Sequence, residues 1–435
     1  MTRLPAVGFR RQASHAALIA CSIVAQVACT SLVTTDTPRA SDPPTPVMAG
    51  QRPGPSPTHT PAQTQGFQVS HVQSEARWAS AITSTIGGRD VSVAVGTGRR
   101  IVYAHLGDVP RVLASNEKLL TSMAALDLLG SAFRFTTQAA AVSKPANGVV
   151  RGDLWLVGGG DPTLTPGDLA VLASAVRHQG ITRVTGDVIG DTSAFDRGWW
   201  APGWLQGISR MYVTRPTALR LDGGDSSPEP EAAASFRDAL ASAGVHVDGV
   251  ARTGAAPRGL EPIASERSPV LSSLLVQQNH ESDNLYAELT TKYLGGLDGN
   301  ASTASGAAVV ERWVRELGVT SEVRDGSGLS DQDETSAVGM VTLLLAARQE
   351  RWFPALERSL PSGGDGTLGS RLAGLPVRAK TGTLFIRPAS TLSGYVTTRA
   401  GTLVAFSVLT HDLPEGTAVA IEDSIVRTIA VASIR

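Results

Sequence analysis

The chain has 435 residues, 42% hydrophobic and 18% charged, which is enough apolar material for one large or two moderate cores and excludes a disordered or collagen-like chain. Lys and Arg number 38 against 39 Asp and Glu, a formal charge of −1, so the bulk electrostatics give no reason to expect nucleic acid or an anionic surface as partner. The only cysteines, Cys21 and Cys29, lie in an N-terminal apolar stretch, leaving the rest without a disulfide framework or a thiolate metal site.

In chain order, Arg3, Arg10 and Arg11 precede an apolar run from Ala16 to Val33, the layout of an export signal over residues 1–34. Three outcomes fit it: cleavage near Ala28 to Thr34, an uncleaved anchor that tethers the protein to a membrane, or lipid attachment at Cys21 within Leu18-Ile19-Ala20-Cys21. A run of about 18 residues is short for ~30 Å of hydrocarbon, which favours cleavage. Residues 35–66 are rich in Pro, Thr and Ser and read as an unpacked linker, so the globular part is expected to begin near Phe67.

Ser74 to Ile86 has helical spacing with a serine as N-cap, and Val91 to Val95 alternates as a strand whose hairpin partner is Ile101 to Ala104. A long helix is expected from Ser115 to Leu129, stopped by Gly130. Residues 135–267 mix β-like runs (Thr136 to Val142, Asp153 to Val157, Val184 to Ile189) with helical ones (Asp168 to Gln179, Glu231 to Ala243) and read as an inserted α+β domain. Helical spacing follows at Val270 to Gln278, Leu285 to Leu294, Ala304 to Leu317 and Thr335 to Arg348. Strands are then expected at Arg378 to Gly382, Leu392 to Thr397 and Leu403 to Thr410, and a terminal helix from Gly416. Strands from both chain ends bracketing helices predict an α/β (α+β) fold: residues 67–134 with 268–435 form one domain, a sheet closed by its N- and C-terminal elements with helices on its faces.

Three short clusters carry chemistry. Only Lys118, Lys144, Lys292 and Lys380 are lysine among the 38 basic residues, and a lysine kept where arginine otherwise serves suggests an amine that must lose its proton. Ser115-Asn116-Glu117-Lys118 places hydroxyl and amine at i and i+3 on one helix face; a neutral lysine can take the proton that leaves serine a poor nucleophile, and the helix N-terminus favours a developing oxyanion. In Ser282-Asp283-Asn284, the serine can relay a proton and the Asn284 amide can donate to and accept from a peptide. In Lys380-Thr381-Gly382-Thr383, a cation and a hydroxyl can hold a carboxylate, the glycine admits a bound chain, and the Thr383 N–H can join that of Ser115 as an oxyanion hole. Each alone is an ordinary helix cap, surface charge or turn.

Together, in this order, serine-x-x-lysine, Ser-Asp-Asn and Lys-Thr-Gly resemble the signature of penicillin-recognising acyltransferases. The 167 positions between Ser115 and Ser282, with Gly158-Gly159-Gly160-Asp161, Gly186-Asp187-Val188-Ile189-Gly190-Asp191, Asp325-Gly326-Ser327-Gly328-Leu329-Ser330 and Ser393-Gly394-Tyr395-Val396, are similar to one branch. That branch is the class C low-molecular-mass penicillin-binding proteins, the D-alanyl-D-alanine carboxypeptidase/endopeptidase family (peptidase family S13), and the likeness runs from about Ser74 to the C-terminus. The resemblance implies a DD-peptidase/β-lactamase-like antiparallel sheet flanked by helices. It also implies an exported enzyme of the cell envelope, on its periplasmic or extracellular face, that acts on peptidoglycan stem peptides, is acylated by β-lactams and uses no cofactor or metal. In it Ser115 is the nucleophile, Lys118 the base and Ser282 the relay; Asn284 clamps the substrate amide, and Lys380, Thr381, Gly382 and Thr383 bind the substrate.

The chain departs from that pattern at Gly203-Trp204-Leu205-Gln206-Gly207-Ile208, where relatives carry a second Trp and an acid that meets a free side-chain amine; an apolar Ile208 cannot pair an ammonium. A β-lactamase or esterase on the same scaffold, and an inactive wall-binding protein, are the alternatives. Trp199, Trp200 and Trp204 read as core packing before glycan stacking, His411 reads as a surface residue, and the eight histidines show no i, i+4 pairing around a glutamate that would mark a zinc protease.

Overall fold

The computed structural model describes residues 67–205, 207, 209–224 and 227–434. The expected export signal (1–34) and linker (35–66), together with Gln206 and Ile208, lie outside the described residues. Val91–Thr97, Ala389–Thr397 and Leu403–His411, each carrying several β-branched or aromatic residues, pair at the centre of a six-stranded sheet. Its order is Ser70–His71, Arg100–His105, Val91–Thr97, Leu403–His411, Ala389–Thr397, Val377–Leu384. Val408 stands opposite both Val93 and Leu392, so the two ends of the described chain are joined through one strand.

The period of two sorts the side chains to opposite faces. Val404, Phe406 and Val408 join the core under the helices Arg77–Ile86 and Glu415–Val431, whereas Ala405 and Leu409 join the core of the opposite helical layer. Within that layer Ala337–Ala347 is apolar all round and buried along its whole length, and Leu344 O accepts from Tyr395 Oη of the sheet at 2.8 Å. Glu117–Leu129 is also enclosed, buried from Glu117 through Leu126.

The chain leaves this body at Phe135 and returns at Ser268. There Ser268 N donates to Phe135 O at 3.0 Å and Phe135 N donates to Ser268 Oγ at 2.9 Å. Between these points lies a second sheet, ordered Ala251–Gly254, Val188–Asp191, Leu154–Val157, Thr136–Ala141, Glu261–Arg267, with Pro166–His178 and Pro228–Ser242 packed on it around a core of its own.

Several expected boundaries shift for identifiable reasons. The first helix starts at Arg77, because Ser74 N donates to Val102 O and so continues the sheet edge, while Ser74 Oγ accepts from Ala76 N. The run from Val184 to Ile189 breaks into Arg183–Val184 and Val188–Asp191, which belong to different sheets. The break is at Gly186-Asp187, where Asp187 N is bound by Asp153 Oδ1 at 2.8 Å and not by a ladder partner. Thr335 lies in the short strand Glu334–Ser336, and Ser336 Oγ caps the helix that follows by accepting from Gly339 N. The helix Phe353–Ser359 had no counterpart among the expected elements.

Leu120 is fully buried at the heart of the helical layer. Leu120→Ala is expected to lower the unfolding free energy by about 2–5 kcal/mol, read from the urea midpoint at unchanged slope.

Candidate active site

Ser115 sits in the single 3-10 turn Ala114–Asn116 that leads into Glu117–Leu129. The turn is clamped from two sides. Ala114 takes a left-handed φ of 45°, and a Cβ on Gly328 would come within 1.8 Å of Ala114 O. On the other side a Cβ on Gly382 would lie 2.9 Å from Ser115 N, so the Val377–Leu384 strand passes the serine with no side chain between them. Asn116 Nδ2 donates to Lys380 O at 3.1 Å and to Thr391 Oγ1 at 2.7 Å, tying the turn to the sheet.

Lys118 Nζ lies 3.0 Å from Ser115 Oγ, 2.7 Å from Asn284 Oδ1 and 2.6 Å from Ser327 O. The last two are carbonyl oxygens and can only accept. An uncharged amine has two N–H bonds and one lone pair; with both hydrogens given to those carbonyls, its lone pair faces the serine hydroxyl. The amide of Asn284 is oriented for this, because its Nδ2 donates to Tyr212 O at 2.9 Å.

Ser282 precedes the helix Asn284–Leu297 with φ 57°, a left-handed position unusual for serine, and Asp283 caps the helix by accepting from Leu285 N and Tyr286 N. Lys380 Nζ donates to Ser282 Oγ at 2.9 Å and to Thr381 O at 2.9 Å. Thr381 Oγ1 donates to Thr367 Oγ1 at 2.8 Å, and Thr383 is exposed on the same edge strand. The structure therefore draws Ser115, Lys118 and Asn284 into one hydrogen-bonded set and Ser282 with Lys380 into a second, close enough that Lys118 acts on Lys380, with Thr381, Gly382 and Thr383 along the same strand. Lys380 and its neighbours fall inside the strand Val377–Leu384.

Burial lowers the Lys118 amine to about 8, against the opposing pull of Asp325, Asp283, Glu288 and Glu117. Burial and the nearby Lys118 push Lys380 well below the ordinary lysine value. Beneath Lys118, burial and the charge of Asp325 raise Glu117 and Glu288, and neither oxygen of Glu117 finds a hydrogen-bond partner among the described residues. Lys292 serves elsewhere, donating to Asp196 Oδ1 and Gly198 O at 2.6 Å each.

Ser327 and Tyr212 are invisible to a reading of sequence because both act through backbone carbonyls, which no side-chain pattern reports. Asp325-Gly326-Ser327-Gly328 is legible as a segment of the family resemblance and as a Gly-rich turn, but not as the source of a carbonyl for Lys118. The three tryptophans pack on one another at ring separations of 5.8 and 5.9 Å, with Ala201 and Val213 against them. His411 is partly buried between Asp90 and Asp412. Among the described residues no group of three or more His, Cys, Asp or Glu is arranged to hold a metal ion.

The family model described as D-Ala-D-Ala carboxypeptidase 3 (S13) matches residues 81–231 and 225–431. The chain is 30% identical to a D-alanyl-D-alanine carboxypeptidase of Actinomadura sp. (strain R39), over 78% of this chain and 80% of that protein. It is 30% identical to a carboxypeptidase of Mycobacterium tuberculosis, over 73% of this chain and 74% of that one. Its fold is similar to that of penicillin binding protein 4 (dacB) from Haemophilus influenzae, with TM-score 0.70 and 22% identity, covering 80% of this chain and 99% of the other. The same Haemophilus protein complexed with a β-lactam matches with TM-score 0.62 at 23% identity, over 80% of this chain and 97% of the other.

With the protein carrying 13C at lysine Cε, the Lys118 signal is expected to titrate with a midpoint near 8; a midpoint at the ordinary lysine value near 10.5 would remove the uncharged amine from the site.

Proposed function

The chain belongs to the D-Ala-D-Ala carboxypeptidase 3 (S13) family and is a serine-type D-alanyl-D-alanine carboxypeptidase; from that premise we propose that Ser115 is the residue acylated and Lys118 its base. The observation that carries this reading is the set of three partners of Lys118 Nζ, two of which can only accept. Uncharged Lys118 takes the Ser115 proton as Oγ bonds to the carbonyl carbon of the penultimate D-Ala. The N–H groups of Ser115 and Thr383 receive the oxyanion. Collapse breaks the C–N bond, and the proton held by Lys118 passes through Ser282 to the leaving D-Ala nitrogen, leaving Lys118 uncharged. Water then attacks the ester as Lys118 takes one of its protons and hands it to Ser115 Oγ, yielding the shortened peptide and free Ser115.

Lys380 and Thr381 hold the terminal carboxylate of the substrate, whose charge favours a protonated Lys380 and offsets the effect of its burial. Asn284 meets the substrate amide with its remaining capacity, and Gly382 leaves room for the peptide beside the edge strand. The substrate is a peptidoglycan stem peptide, and a β-lactam acylates the same serine as a pseudo-substrate. Export by the segment 1–34 brings the enzyme to the face of the envelope where such peptides occur. Residues 135–267 are an inserted domain carried by the catalytic domain of 67–134 and 268–435. The β-lactamase, esterase and inactive-binder alternatives are not favoured, since both relatives aligned over most of this chain carry carboxypeptidase names.

A fluorescent penicillin is expected to label the protein and release of D-Ala from a peptide ending in D-Ala-D-Ala to follow, with both lost in Ser115→Ala; a labelled Ser115→Ala protein would refute the nucleophile. The second-order acylation constant should rise by about tenfold per pH unit below the Lys118 midpoint and level off above about 8, because only the uncharged amine accepts the proton. A flat profile from pH 5 to pH 9 would exclude Lys118 as the base.

A further inference from the structure

Both carbonyls that fix the lone pair of Lys118 are themselves held by residues of the segment between Phe135 and Ser268. Asn284 is oriented by Tyr212 O. Ser327 O is held less directly. Ser327 N donates to Asp325 Oδ1 at 2.9 Å and to Glu288 Oε1 at 3.0 Å, and Gly328 N donates to Asp325 Oδ1 at 2.6 Å. The other oxygen of Asp325 accepts from Ser330 N at 2.8 Å and from the indole N–H of Trp204 at 2.5 Å. Asp325 is fully buried and Trp204 only 8% exposed, so this contact is shielded from solvent. Ser330 Oγ donates to Pro202 O at 2.7 Å, a second link between the same two stretches, and Leu329 packs on the Trp204 cluster.

We propose that Trp204 is a positioning residue for Lys118, acting from the inserted segment through Asp325 and the Ser327 carbonyl to hold the amine with its lone pair toward Ser115. The inference rests on Lys118 being the base. It assigns part of the catalytic geometry to a stretch that contributes no reacting group, and gives the segment 135–267 a part in the chemistry besides any contact with the wall. The charged and titratable groups facing Lys118 are Glu117 on its own helix, Asp283 and Glu288 around the Asn284–Leu297 helix, Asp325 on the loop, and Lys380 on the edge strand. Asp325 is the one among them that Trp204 touches.

The test compares Trp204→Phe, which keeps an aromatic ring and deletes the N–H, with Trp200→Phe, which alters the same aromatic cluster away from Asp325. Penicillin acylation of the full chain is followed across pH. Trp204→Phe should acylate about tenfold more slowly, with its acid limb moved to higher pH, since an Asp325 carboxylate relieved of one donor projects more charge onto Lys118. Trp200→Phe should do neither. Asp325→Asn, which keeps the shape and removes the charge, should move the limb the opposite way, to lower pH, and carries the test if Trp204→Phe does not fold. Native rates and limb in Trp204→Phe, equal losses in both tryptophan variants, or an unmoved limb in Asp325→Asn would each overturn the proposal. A wild-type profile without an acid limb would instead remove the base assignment on which it rests.

Discussion

A buried amine between two carbonyl oxygens has little freedom in how it disposes its protons. Ser327 O and Asn284 Oδ1 each demand an N–H from Lys118, and what remains is the electron pair facing Ser115. Burial takes the amine out of water and so favours its uncharged form, while Asp325 and its neighbours limit how far that shift goes. Much of the surrounding structure follows from this demand. A loop must bring Ser327 O within 2.6 Å, a helix must open at Asn284, and a strand must pass close enough that position 382 admits only glycine.

The enclosure of the first helix after the turn belongs to the same constraint. A lysine on a solvent-facing helix would keep its proton, whereas Glu117–Leu129 is wrapped by neighbours from its first turn. Glu117 and Glu288 share that enclosure. Burial pushes both carboxyls up, which lessens the negative charge they set beside Lys118. Three backbone N–H groups and one indole N–H converge on the oxygens of Asp325.

What could be read from the chain alone divides along physical lines. Ser115, Lys118, Lys380, Ser282 and Asn284 were legible as candidates because their side chains can carry chemistry and their order along the chain is unusual. Helices with a strong apolar period, such as Thr303–Glu316, were found within a residue or two of their ends. The carbonyls of Ser327 and Tyr212 were not legible, since any residue could present them. The break inside Val184 to Ile189 was also hidden: a period of two is unchanged when a strand passes from one sheet to another, and only the contact of Asp187 N with Asp153 marks the crossing. Ser74 looked like a helix cap until its backbone was needed at the sheet edge.

Where the chain departs at Phe135 and comes back at Ser268, the two residues already touch, so closing the body of the six-stranded sheet across that gap costs little chain entropy whatever lies between. The inserted domain we propose for residues 135–267 could on that ground change in length while the six-stranded sheet keeps its registry. Under the positioning role proposed for Trp204 that liberty is limited, because loss of the segment would also remove the contacts of Trp204 and Tyr212 behind the amine.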